Sequence, residues 1–101
     1  MNDHRLEAFV RRTTLRQVEV IVALQEHKSM TAVAAALGMS VANVSRVATR
    51  FENNFGVRIL EDESRRTALT ADSGRIFDVL KPLHSEIGHL RGRLGKIETP
   101  T

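Results

Sequence analysis

Two hydroxyl residues on either side of an alanine-rich run have the chemistry to bind phosphate. Thr31 precedes the run Ala32–Ala36, and Ser40 follows it just beyond Gly38. Hydroxyls at helix starts lie beside backbone N–H groups without helical partners, and such positions bind anions. Small polar residues and guanidinium groups follow at helical spacing. The residues that we expect to contact DNA in this region are Thr31, Ser40, Val41, Ala42, Ser45, Arg46, Thr49 and Arg50.

The segment 29–55 predicts two helices joined by a tight turn. Ser29 or Thr31 can cap the first helix, and Ser40 is placed to cap the second. Gly38 supplies the positive φ that a sharp helix exit requires. This order is typical of a helix-turn-helix, whose second helix enters the major groove of DNA.

The second helix of this pair should run from Val41 to about Phe55 and should have two distinct faces. The inward face is apolar and consists of Val44, Val47 or Ala48, Phe51 and Phe55. The outward face consists of Val41, Ala42, Ser45, Arg46 and Thr49. Small outward residues allow this helix to lie close against a groove.

Several side chains on that outward face have possible roles in binding DNA, and Ser45 is expected to lie against the DNA backbone. Arg46 can reach a base edge or a nearby phosphate, while Val41 and Ala42 can meet bases by apolar contact. Arg50 either contacts DNA or pairs with Glu52 or another surface acid.

The chain before the helix pair predicts a supporting helix. Residues 1–13 fit either an N-terminal arm or a short amphipathic helix. Thr14 and Gln17 have the form of a capping box, and the helix behind them should last to about Glu26. We expect that helix to form the floor on which the helix pair lies.

A β-hairpin wing is expected after the helix pair. The segment 57–60 is short and contains β-branched residues, and residues 67–69 are a plausible partner strand. The turn between the two segments is charged. Arg65 and Arg66 can straddle a backbone phosphate. An ordinary solvated hairpin is the alternative.

The last third of the chain predicts a long helix over residues 71–94, capped by Thr70. Its apolar residues are spaced 4, 3, 4, 3, 4, a heptad seam that should face a partner helix rather than a small core. Pro82 lies inside the helix and should kink it. The seam residues, which we expect to mediate dimerisation, are Ile76, Leu80, Leu83, Ile87, Leu90 and Leu94.

Composition excludes several other classes of protein. The 101 residues suffice for one domain, and a net charge of +3 suits a polyanionic partner. The chain has no cysteine, and its four histidines lack metal-ligand spacing, so we expect no enzyme, metal or cofactor. No apolar run approaches the roughly 20 residues of a membrane span. We expect a cytoplasmic, nucleoid-associated protein.

Three segments together, LRQVEVIVALQEHKSMTAVAAALGMS, SRVATRFENNFGVRIL and RRTALTADSG, resemble the N-terminal domain of LysR-type transcriptional regulators. The resemblance covers Leu15 to about Leu94. It implies a mainly α-helical winged helix-turn-helix with a linker helix, which binds double-stranded DNA at an interrupted palindrome as a homodimer, or as a tetramer in a full-length protein. It also implies a C-terminal effector-binding domain that this chain lacks, so we expect either a truncated or a free-standing DNA-binding module.

The chain departs from the family pattern at two places. The usual Gln-Pro after the capping serine is Val41-Ala42 here, and the usual wing arginine falls at Asp62. Val41 cannot make a bidentate amide contact to adenine, but its methyl groups can meet a thymine methyl. Asp62 lies between two glutamates and repels phosphate unless the wing turns these acids outward. The roles implied by the family carry over best to Thr31, Ser40, Ser45, Arg46 and Arg66.

The sequence therefore predicts four parts: an arm or short helix over 1–13, a winged helix-turn-helix over 14–70, a linker helix over 71–95, and a hinge or tail over 96–101. Two alternatives remain. One is a helical protein-interaction module whose last helix pairs with another protein, and the other is a winged-helix regulator of another family.

Overall fold

The computed structural model describes residues 3–61 and 69–97, and the fold within these ranges is mainly α-helical, as predicted. Five helices cover most of the described chain. They are α1 (Asp3–Arg12), α2 (Leu15–His27), α3 (Met30–Leu37), α4 (Val41–Phe55) and α5 (Ser73–Gly95).

Hydroxyl caps determine where α2, α3 and α4 begin. In each cap the side-chain oxygen accepts a hydrogen bond from the amide three residues later, which satisfies an N–H that has no partner inside the helix. The three bonds join Thr14 to Gln17 (3.1 Å), Ser29 to Ala32 (3.2 Å) and Ser40 to Asn43 (3.1 Å). Ser29, rather than Thr31, therefore caps the first helix of the pair.

The predicted capping box at Thr14 forms only in part. The threonine hydroxyl makes its bond, but the buried Oε1 of Gln17 has no hydrogen-bond partner, so the reciprocal bond to the Thr14 amide is not made. The start of α2 therefore depends on the hydroxyl alone.

Left-handed residues end the same three helices. Gly38 (φ 66°) ends α3, as the sequence predicts, and Gly56 (φ 77°) ends α4 directly after the predicted last residue, Phe55. Lys28 ends α2 with a φ of 53°, where its Cβ is disfavoured, and its amide donates to the Leu24 carbonyl at 2.9 Å.

Helix α2 forms the floor of the domain, since it packs against α3, α4 and α5. Its residues from 17 to 24 are all buried. Residues 3–12 form a helix rather than an arm, and this helix packs on α4. Phe9 makes edge-on contacts with Phe51 and Phe55, with ring centroids 6.2 and 5.6 Å apart.

Helices α3 and α4 form the predicted helix-turn-helix. The chain turns by 102° across the break between them, which is typical of this motif. No single helix in the described ranges is long and apolar enough to cross a membrane. The bent pair of α3 and α4 is long and apolar enough only when the two helices are taken together, and its Val33, Val44 and Phe51 are buried in the core of the protein.

Most of the predicted wing, including Asp62, Arg65 and Arg66, lies outside the described residues. On either side of it, Leu60 and Leu69 form an isolated antiparallel bridge. The described residues contain no longer strand, so the two predicted strands are reduced to this bridge in the part of the chain that the structure describes.

Helix α5 begins two residues later than predicted, and Thr70 does not cap it. Asp72 occupies the cap position without a side-chain bond. The Thr70 hydroxyl donates instead to the Arg58 carbonyl, and the Thr70 carbonyl accepts from the Ser73 amide (3.2 Å) and hydroxyl (2.6 Å). Thr70 therefore joins α5 to the segment after α4.

Helix α5 continues through Pro82 as one element. Pro82 removes the amide that would bond to the Asp78 carbonyl. Both residues are exposed, so water can take the place of the missing amide.

The prediction that the whole heptad seam faces a partner helix is wrong for three of its six residues. Ile76, Leu80 and Ile87 are buried in the core of this chain, where α5 packs along α2. The 3–4 spacing predicts an apolar stripe, but the same stripe can cover a neighbouring helix of its own chain. The other three seam residues, Leu83, Leu90 and Leu94, are exposed.

Candidate nucleic-acid interface

The two faces of α4 are those that the sequence predicts. Val44, Ala48 and Phe51 are fully buried, and Val47 and Phe55 are half-buried. The side chains exposed on α4 include Val41, Ala42, Ser45, Arg46, Thr49 and Arg50. We call the exposed side chains between positions 41 and 49 the reading face.

The start of α4 has the electrostatics of an anion site. Ser40 caps one amide, while the amides of Val41 and Ala42 have no partner inside the helix. The positive end of the helix dipole lies at the same point. Thr31 is exposed in the first turn of α3, so a second hydroxyl lies at the start of the neighbouring helix.

Asn43 also belongs to the reading face, although it is not among the residues predicted from the sequence. Its Oδ1 accepts a hydrogen bond from Arg46 Nη1 at 3.0 Å, and both residues are exposed. The contact orients the guanidinium group and leaves its remaining N–H donors free. The reading face therefore carries an amide group beside its guanidinium group. The three-residue spacing between Asn43 and Arg46 was the signal for this pair.

Arg50 does not pair with Glu52. Arg50 is exposed and makes no hydrogen bond or ion pair with any described residue. Glu52 instead accepts bonds through Oε2 from the amides of Ile59 (2.7 Å) and Leu60 (3.1 Å). Arg50 therefore remains available to an external anion.

Two side chains fix the segment that leads towards the predicted wing. Glu52 binds its amides, and the Arg58 guanidinium donates to the Leu60 carbonyl at 3.3 and 3.4 Å. Neither residue is predicted from the sequence to have this role. A glutamate one turn before a helix-ending glycine was the available signal, because its side chain can reach the amides that follow.

The exposed apolar residues of α5, together with Ile97 two residues beyond its end, form a second candidate interface. We call this set the outer row: Val79 (71% exposed), Leu83 (39%), Leu90 (47%), Leu94 (62%) and Ile97 (60%). Val79 and Ile97 are not among the predicted seam residues. The members of the outer row are spaced 4, 7, 4 and 3 residues apart, so those within α5 lie along one side of the helix.

An ion pair joins α5 to the floor helix. The Arg91 guanidinium donates to Glu19 Oε2 at 2.7 Å, and Arg16 lies 3.6 Å from the other oxygen of the same carboxylate. Glu19 is buried, whereas Arg91 is mostly exposed. The pair therefore helps to set the position of α5 against α2.

Comparison with known proteins gives the family. Residues 15–73 match the family described as bacterial regulatory helix-turn-helix protein, lysR family. The chain belongs to this family. The lysR-family match begins with α2 and ends at the first residue of α5, so α1 and nearly all of α5 lie outside it.

Curated relatives of this lysR-family chain are regulators. It is similar to the HTH-type transcriptional regulator PtxR of Pseudomonas aeruginosa, with 34% identity over 82% of this chain and 26% of PtxR. It is also similar to a probable hydrogen peroxide-inducible genes activator of Streptomyces viridosporus, with 29% identity over 89% of this chain and 29% of that protein. The chain thus spans between a quarter and a third of the length of these relatives.

Solved structures show the same fold. A Corynebacterium glutamicum OxyR mutant superposes with a TM-score of 0.74 at 24% identity, covering 89% of this chain and 29% of that chain. The BenM DBD/benA site 1 DNA complex superposes with a TM-score of 0.69 at 24% identity, covering 85% of this chain and all of that chain.

No group of three or more residues able to hold a metal ion occurs in the described lysR-family domain.

Proposed function

We propose that this chain is the DNA-binding part of a bacterial LysR-type regulator, which binds double-stranded DNA sequence-specifically as a homodimer on an interrupted palindrome. The exposed reading face of α4 carries this proposal. The buried side of α4 fixes this helix in the core, while the reading face offers an oriented guanidinium group and backbone amides without helical partners. The similarity in fold to the BenM DBD/benA site 1 DNA complex supports the same conclusion.

Base readout is assigned to the first two turns of α4. Arg46 and Asn43 supply donors and acceptors for base edges in the major groove, and the Val41 methyl groups suit a thymine methyl. Ser40 and Thr31 anchor phosphates with hydroxyls and nearby amides at helix starts. The small side chains at positions 42, 45 and 49 allow the reading face to approach the groove closely.

Further phosphate contacts are assigned to the wing. Arg65 and Arg66 lie in the segment 62–68, outside the described residues, so their role follows from the sequence resemblance. Glu52 and Arg58 hold the described residues that lead into that segment, which restrains where the wing leaves the core. In this scheme residues 14–70 bind DNA, residues 71–95 link two copies and residues 96–101 form a hinge.

Dimerisation is assigned to the outer row of α5. At 1.5 Å per residue, the 23 residues of α5 extend for roughly 35 Å. Ile76, Leu80 and Ile87 attach this helix to its own domain, so a contact between two outer rows would transmit the position of one reading face to the other. Binding to two linked half-sites raises the affinity for DNA, because the second copy is held at a high effective concentration once the first is bound. A longer protein containing this part can assemble further into a tetramer.

Selection of bound duplexes from a random pool tests the function. A palindromic consensus with two half-sites is expected, together with affinity that falls as salt rises, because phosphate contacts release counterions. Failure to enrich any sequence, with equal retention of all duplexes, would contradict sequence-specific binding. Recovery of single half-sites would contradict the dimer.

The outer row also favours a second candidate, a helical protein-interaction module. In that case the row pairs with a different protein and α4 has no DNA to read. Retention on duplex DNA distinguishes the two candidates. A chain that elutes from DNA at low salt and sediments as a monomer supports the interaction module.

A further inference from the structure

The C-terminal end of α1 is fixed beside the C-terminal half of α4. Phe9 packs edge-on against Phe51 and Phe55, and the Asn54 Nδ2 donates to the Arg12 carbonyl at 3.2 Å. One contact is apolar and the other is polar, so the last turn of α1 has a defined place on α4. This helix lies before the residues that match the family.

One flank of α4 connects the reading face to the last turn of α1. Arg46, Arg50 and Asn54 follow each other at intervals of four residues and so lie on one flank of α4. The eight residue steps from Arg46 to Asn54 cover about 12 Å along the helix axis. Because Asn54 binds the carbonyl of Arg12, the flank leads directly to the last turn of α1. We call Arg50, Arg11 and Arg12 the cationic strip.

The side chains of the cationic strip are not engaged by other described residues. All three are exposed and none makes an ion pair or a side-chain hydrogen bond within the described ranges. By contrast, Arg16 and Arg91 bind a carboxylate. Arginines at the end of α1 also suit the negative end of its dipole. That role uses their charge but leaves their N–H donors free.

We infer that the cationic strip binds the sugar-phosphate backbone of one DNA strand next to the bases read by α4, so that α1 extends the DNA contact of the domain. This inference rests on the proposed function. If the N-terminal half of α4 enters a major groove about 12 Å wide, its C-terminal half must leave across the backbone. Guanidinium groups bind phosphate oxygens in a bidentate manner.

The test compares the salt dependence of duplex binding among matched variants. Arg11→Gln/Arg12→Gln removes two charges from the strip, and Lys81→Gln/Lys96→Gln removes two charges from exposed positions of α5 and its C-cap. The slope of log K against log salt should fall by about 0.9 for each phosphate that is no longer neutralised. For a dimer we expect a decrease on the order of 2–4 in the first variant and little change in the second.

Two further variants separate DNA binding from folding. Arg11→Lys/Arg12→Lys keeps both charges and should keep most of the slope. Asn54→Ala changes no charge but releases the end of α1, and it should lower the slope in part. Circular dichroism shows whether α1 remains helical, and a hydroxyl-radical footprint should lose its outermost protected sugars in the glutamine variant.

The outcomes distinguish the inference from the proposed function. A wild-type chain that does not bind DNA at all overturns both. A wild-type chain that binds, with an Arg11→Gln/Arg12→Gln variant whose slope and footprint equal those of wild type, overturns only the inference. A decrease in slope equal to that of the α5 control shows an effect of net charge and also overturns it.

Discussion

The ion pair between Glu19 and Arg91 gives a sharp test of how α5 is held. Replacing Arg91 with alanine leaves a buried carboxylate with Arg16 at 3.6 Å as its remaining described cation. Breaking a fully buried pair costs about 3–5 kcal/mol, whereas an exposed pair is worth about 0–1 kcal/mol. Glu19 is 9% exposed in its side chain but Arg91 is 64% exposed, so solvent screens the pair. We expect a loss of about 1–2 kcal/mol in the free energy of unfolding.

A double-mutant cycle measures the coupling free energy between Glu19 and Arg91. The variants are Arg91→Ala, Glu19→Gln and the double change, compared by chemical denaturation at one protein concentration, because dimerisation affects apparent stability. We expect the double variant to lose less than the sum of the single losses, by about 1 kcal/mol, and this difference should shrink in high salt. A Tm difference of roughly 4–8 °C would accompany each kcal/mol. Strictly additive losses would refute the idea that this pair positions α5.

Three other predictions concern readout, assembly and backbone strain. Arg46→Ala should weaken binding to the selected duplex by about 1–3 kcal/mol; equal loss on a random duplex in the same titration would make it a phosphate contact. Leu83→Glu should give folded monomers by light scattering, whereas Ile87→Glu should unfold the domain because it buries a charge; a folded monomer in both cases would contradict the two-sided arrangement of α5. Lys28→Gly should raise the free energy of unfolding by up to about 1 kcal/mol by relieving its left-handed backbone, and Gly38→Ala should lower it by a similar amount. Thermal unfolding checks both, and the same sign for the two changes would be inconsistent with strain.

Some features could be predicted because they depend on a few neighbouring residues. The hydroxyl caps of Thr14, Ser29 and Ser40, and the left-handed glycines at 38 and 56, act within one turn of helix. Local spacing is then sufficient, since the partners are backbone groups at a known offset. The helix-turn-helix and the two faces of α4 follow from the same kind of pattern.

Other features require residues far apart in the sequence to meet. The role of Glu52 depends on how the chain turns back after Gly56, and the pair of Glu19 with Arg91 joins positions 72 residues apart. Neither partner can be found from spacing along one helix. The placement of α1 also depends on Phe9 reaching the aromatic residues of α4.

The order of residues along the chain is enough to specify the fold class, most of the reading face and the presence of an apolar stripe on α5. These depend on helical periodicity and on groups that act locally. The surface that each apolar residue covers is set by tertiary packing, because α2 buries Ile76, Leu80 and Ile87 and leaves the outer row exposed. Tertiary packing also leaves Arg50 unpaired within the described chain, since Glu52 is held by backbone amides from the following segment. Burial depends on the packing of the whole molecule, whereas periodicity specifies only which side of a helix is apolar.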